Sequence, residues 1–186
     1  MPPNISSAIV FIINALTSLY LLVLLLRFWM PWLRADFRNP LAQGILRLTS
    51  PVVVPLRRIV PSFGRLDTAT VLVAFSIQYL TIVLLLLIRG DSAGTVPIAV
   101  TALIKLTVLS VYLFVYAIFI RIILSWISPG SYNPATAIIT TLTDPILRPF
   151  RRLLPPLGGF DISPIFAIIM LVAITIVVSG FNPLGI

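Results

Sequence analysis

The chain has 186 residues, 59% hydrophobic and only 10% charged, with a mean hydropathy of +1.13 and a formal net charge of +8. A soluble domain carries about a quarter charged residues, so the composition excludes an ordinary water-soluble fold and points to an all-α integral membrane protein. There is no cysteine and no histidine, which removes disulfides, thiolate or imidazole metal sites and His-dependent nucleophile chemistry.

Crossing a bilayer takes roughly 20 apolar residues at about 1.5 Å each. Four stretches qualify. The first runs from Ile5 to Met30, uncharged until Arg27. It lacks a basic leader and a small-residue cleavage site, so it reads as a retained span. A polar connector follows. Asn39-Pro40 reads as a helix start, with Asn capping free amides and Pro at the first helical position; that helix is expected to end near Leu48. Ser50-Pro51 reads as a second start, opening the short segment "SPVVVPLRRIVP". Pro55 is expected to bend this segment, and Arg57 and Arg58 lie between its apolar positions. Gly64 and Asp67 come just before the second span, Thr68 to Ile88, where Asp67 suits a helix N-cap or an ion pair with a connector arginine.

The joint "RGDSAGTV" (89–96) leads to the third span, Val96 to Ile127, interrupted by Lys105 and Arg121. The second connector repeats the first: Trp126, Asn133-Pro134, Asp144-Pro145, Arg148, Pro149, Arg151, Arg152, Gly158 and Asp161. The fourth span is Ile162 to Phe181.

Laying the chain on itself with a shift of 94 matches 14 of the 41 positions from Arg27 to Asp67. Arg27/Arg121, Trp32/Trp126, Thr49/Thr143, Pro51/Pro145, Pro55/Pro149, Arg57/Arg151, Gly64/Gly158 and Asp67/Asp161 are among the pairs. Apolar bias would not align prolines, arginines and a tryptophan, so this is an internal duplication. The expected fold is four transmembrane helices as two parallel repeats, 1–94 and 95–186, each reading span, bent amphipathic interfacial helices, span. Both connectors are rich in arginine, which places them in the cytoplasm, with the joint and both termini outside. The arginines Arg57, Arg58, Arg148, Arg151 and Arg152 are expected to meet anionic phospholipid head groups or a protein partner, with Trp32 and Trp126 at the same depth. The charge alone does not favour nucleic acid, because membranes attract the same cations.

These motifs resemble the YggT (also YlmG) family. "LTDPILRPFRRLLPPLGGFDISP" (142–164), with Trp126 and Asn133-Pro134 before it, is similar to the family signature; "TSPVVVPLRRIVPSFGRLDTA" (49–69) is a looser copy. The resemblance implies a bacterial inner-membrane protein of two repeats with no assigned reaction. Bacterial relatives are linked to osmotic or ion homeostasis and to cell-division genes, and plastid relatives to cytochrome assembly and nucleoid partitioning. If relatives handle haem, this chain offers no histidine for it.

Three polar residues lie within the spans: Asn14, Gln78 and Lys105. Lys105 has Phe11 as its repeat equivalent, so the lysine is not part of the shared fold. An intramembrane charge marks a functional site by default, yet near the start of a long span it could snorkel to the interface. With no metal cluster, no phosphate loop and no paired acid and base, no enzyme and no cofactor are expected. The expected role is a scaffold or assembly factor presenting its connectors. The alternative is a small channel or transport-associated subunit, which with four spans would need a homo-oligomer to enclose a pore.

Overall fold

The computed structural model describes residues 3–127, 133–153 and 161–185. Among these there are six helices and no named strand: α1 Pro3–Trp32, α2 Pro40–Arg57, α3 Thr68–Arg89, α4 Thr95–Ile127, α5 Pro134–Leu153 and α6 Ser163–Ser179. Three of them, α1, α3 and α4, are long and apolar enough to cross a membrane; α6 is apolar but shorter. The fourth expected span therefore contracts to 17 residues, about 25 Å of helix. Gly180 ends it, and Asn182 beyond the turn accepts a hydrogen bond from Thr101 Oγ1 at 2.9 Å, tying the tail to α4.

Each half is built alike. α1 packs on α3 and α4 on α6, with the connector helices α2 and α5 each touching both partners of their own half. The halves meet where α4 packs against α3 and α1, and where α2 meets α5. The core is a chain of apolar clusters along these seams. Leu21 and Leu24 of α1 pack with Val53 of α2 and Val73 of α3. Leu25 packs with Leu113 and Phe114 of α4, and Ile118 with Leu147 and Ala167. Many other apolar side chains of α1, α3, α4 and α6 are exposed, among them Phe11, Leu80, Phe119 and Ile176. An apolar surface of that extent on these four helices suits contact with hydrocarbon.

The connectors depart from expectation. Neither contains a second helix start: α2 runs unbroken through Pro51 and Pro55, and α5 through Pro145 and Pro149. A proline deletes one backbone bond, to the carbonyl four residues back. All four prolines are exposed, while Val53 and Leu147 between them are buried, so the rings do not interrupt the packed face of either helix. Ser50 and Asp144 are consequently not caps; they sit mid-helix with another task. The first starts stand. Asn39 Oδ1 accepts from the Leu41 amide at 2.9 Å, and Asn133 Oδ1 from the Thr136 amide at 2.8 Å.

Turns use glycine where φ is positive. Gly90, φ 77°, closes α3 in the left-handed conformation. Gly64, φ 59°, allows the tight turn in which Phe63 and Leu66 exchange backbone hydrogen bonds. Gly158, its counterpart in the repeat, lies outside the described residues.

Candidate functional site

Two regions gather the polar side chains. The first is a pair of equivalent ion-pair braces where the connectors meet the long helices. Arg27 of α1 donates from Nη1 to Thr49 Oγ1 at 2.8 Å and to Ser50 Oγ at 3.3 Å. Arg121 of α4 donates from Nη1 to Thr143 Oγ1 at 2.7 Å and to Asp144 Oδ1 at 2.6 Å. Each threonine hydroxyl in turn donates to a carbonyl of its own helix, Ile45 in α2 and Ile139 in α5. Ten residues before each aspartate stands the arginine that binds it. Arg57 pairs with Asp67, and Arg151 Nε with Asp161 Oδ2 at 2.8 Å.

Asp67 also does the other job open to it. It caps α3, accepting from the Thr70 hydroxyl at 2.7 Å and the Thr70 amide at 3.4 Å. Burial disfavours its charge most strongly, but the hydrogen bonds from Thr70 and Arg57 outweigh that and hold the carboxyl below its ordinary range. For Asp161, burial is again the largest single influence, and Arg151 with the Ser163 amide reverses it, so this carboxyl too is lowered.

The braces differ in charge. In the first, Arg27 is 4% exposed and reaches Asp67 only at 3.6 Å through Nε, which has no hydrogen-bond partner. Two arginines thus share one carboxylate. In the second, Arg151 reaches both Asp144, at 3.5 Å, and Asp161, so two arginines face two carboxylates. The residue behind the difference is Ser50, standing where the second repeat has Asp144.

The braces divide the arginine pairs. Arg57 and Arg151, expected to face outward, are held by aspartates. Arg58, Arg148 and Arg152 are exposed with no ion pair among the described residues. Trp32 and Trp126 are exposed as well, at the ends of α1 and α4. The two connectors are joined at their starts. Asn39 Nδ2 donates to the Pro134 carbonyl at 2.8 Å, and Ala42 packs with Ile138 and Leu142.

The second region is a cavity of about 230 Å³ between α1, α3 and α4, lined by Asn14, Thr17, Ser18, Gln78, Lys105 and Tyr112. The three polar span residues singled out in the sequence thus come together. Gln78 lies ten residues into the 22-residue α3, about 15 Å along it. Lys105 is therefore level with the middle of that helix and not near its end.

In the sequence Arg27 stands out only as the first charge of the first apolar run and as a matched position of the repeat. Its bracing role was signalled by two matched pairs, Arg27/Arg121 and Thr49/Thr143, both keeping a polar group in an apolar setting. Among the described residues no group of side chains could hold a metal ion. Asp67, Asp144 and Asp161 are engaged by arginines or caps rather than set beside a free base.

The architecture defines an all-helical protein with three helices suited to crossing a membrane and two braced, arginine-bearing connectors. The sequence profile of the CCB3/YggT family matches it twice, over residues 6–88 and again over 100–182, and the chain belongs to that family. An uncharacterized protein of Pseudomonas aeruginosa, PA0392, is 44% identical over 177 residues, 94% of this chain and 90% of the relative. The uncharacterized protein YggT of Escherichia coli K12 is 36% identical over 170 residues, covering 90% and 87%. The chloroplastic YlmG homolog protein 2 of Arabidopsis thaliana is 34% identical over 142 residues, 74% of this chain and 49% of that protein. No solved structure matches the chain.

Proposed function

We propose that the protein is a non-enzymatic, multi-pass inner-membrane scaffold of four spans, α1, α3, α4 and α6, whose connectors α2 and α5 lie on the cytoplasmic face. The observation that carries this reading is the split of each arginine pair. One arginine of each pair fixes the connector to the bundle through Asp67 or Asp161. That leaves Arg58, Arg148 and Arg152 as unpaired cations on helices that are themselves docked together. A rigid platform with free guanidinium groups suits anionic head groups at its rim and a protein partner across its face. Exposed Leu48, Val52 and Leu153 on the same helices supply apolar area beside those charges.

A triple substitution of Arg58, Arg148 and Arg152 by alanine tests this, because it spares both braces. A photo-crosslinking residue at Leu153 should yield a discrete protein adduct in cells. The triple variant should lose that adduct while inserting and melting like the parent. Adducts with lipid alone would overturn the scaffold. The topology is tested from the cysteine-free background. A thiol at Ser92 should label in intact cells and one at Arg152 only after permeabilisation, and the reverse pattern would overturn the orientation.

The grouping of Asn14, Gln78 and Lys105 in one cavity favours the second reading, a channel or transport-associated subunit assembled from several copies.

A further inference from the structure

The polar cavity between α1, α3 and α4 is not a product of the duplication. The repeat equivalents of Asn14, Thr17, Gln78 and Lys105 are Val108, Val111, Val172 and Phe11. Two equivalent pairs, Asn14/Val108 and Ser18/Tyr112, line the same space from opposite helices, so it lies on the seam between the halves. An architecture needing only packing here would keep the apolar set that the other half uses, since each polar group withdrawn from water costs free energy unless it is partnered.

Thr17 Oγ1 accepts from the Thr81 hydroxyl at 3.4 Å, but the amides and the ammonium are not partnered. None of Asn14, Gln78 or Lys105 makes a hydrogen bond or ion pair with another described residue, and Gln78 is 6% exposed. All five acids of the chain lie outside the long helices or at their edges: Asp36, Asp67, Asp91, Asp144 and Asp161. Those that form ion pairs do so with arginines. The other charge acting on Lys105, Arg89, has the same sign. What converges on the cavity is thus one ammonium, two amides and three hydroxyls, a set of donors with no fixed negative charge among them.

We infer that this cavity binds a small monovalent anion, held by Lys105 with the side-chain amides of Asn14 and Gln78 as hydrogen-bond donors. The ammonium supplies the charge-assisted bond, the amides turn their NH₂ groups inward, and the hydroxyls complete the shell. A carboxylate and an inorganic halide present the same chemistry to such a site. About 230 Å³ admits either one with accompanying water. Binding here is a property of the seam between the halves and is independent of the scaffold reading, which concerns the connectors.

The test uses the full chain in nanodiscs of phosphatidylcholine, so that no anionic lipid competes. Sodium chloride and sodium acetate are titrated separately against a bulky morpholinoethanesulfonate salt at matched ionic strength, and the melting midpoint is read. The midpoint should rise saturably with chloride, acetate or both, as expected when a ligand binds only the folded state. Lys105→Gln should weaken the response about tenfold or more, the scale of a lost charge-assisted bond. Gln78→Leu should weaken it less, and Arg152→Ala should leave it intact. A response to chloride alone identifies a halide site, and one to acetate that persists with butyrate a carboxylate site. Equal responses in the parent and Lys105→Gln, or no response to either anion, would overturn the proposal. Should Lys105→Gln not fold, Gln78→Leu decides: a response identical to the parent's rejects the site.

Discussion

Asp67 and Asp161 occupy equivalent places in the two halves and each binds the arginine ten residues before it, yet only Asp67 faces a second arginine, Arg27, at 3.6 Å. The Asp67 side chain is 8% exposed against 42% for Asp161. The same motif is therefore a buried brace in one half and a surface one in the other.

Removing these carboxylates should have unequal effects. Asp67→Asn leaves Arg27 buried with no counter-charge and should cost about 3–5 kcal/mol, the usual consequence of breaking one side of a buried pair. Asp161→Asn exposes Arg151 to solvent and to Asp144, and should cost about 1 kcal/mol or less. Melting of each variant in detergent measures the difference; equal shifts would show that burial does not separate the two braces.

The same carboxylates give the fold an acid limit. Both have folded-state pKa values below the ordinary one, so the unfolded chain takes up protons first as pH falls. Their contribution is complete above the unfolded value, near about 3.9, and is lost as pH drops through the lower folded values. Stability should therefore be flat with respect to these groups at neutral pH and fall steeply below about pH 4. The Asp67→Asn variant should show a shallower fall, which an acid titration of the melting midpoint would detect.

Ser50 offers a gain. It receives Arg27 at 3.3 Å where Asp144 receives Arg121 at 2.6 Å. Ser50→Asp should give Arg27 the carboxylate that its counterpart has and raise stability by about 1 kcal/mol. Asp144→Ser should lower it by a similar amount. A melting midpoint that falls in Ser50→Asp would mean that the first brace has no room for a second acid.

The duplication was readable because the matched residues, prolines, arginines and aspartates, are those that an apolar bias cannot supply by chance. It led correctly to paired caps at Asn39 and Asn133. The continuity of α2 and α5 was not readable. Whether a proline ends a helix depends on the packing around it, and Pro51, Pro55, Pro145 and Pro149 all fall on exposed faces of helices whose buried residues, Val53 and Leu147 among them, hold the helix to the bundle. The sharing of Asp67 between Arg57 and Arg27 was equally hidden, since 40 residues separate Arg27 from its acid. The cavity depended on the relative heights of three helices. Sequence marks Asn14, Gln78 and Lys105 as polar, but only packing brings them level.

The bond from Asn39 to the Pro134 carbonyl runs one way. Asn133, its twin, likewise caps its helix through Oδ1, accepting from the amide and hydroxyl of Thr136, but no described bond leads from it back to Pro40. Two identical single-repeat chains related by a two-fold axis would form both such contacts or neither. The fused chain has given up that option. Its halves are a distinct donor and a distinct acceptor at this contact, so the seam is asymmetric although the repeats that form it are alike.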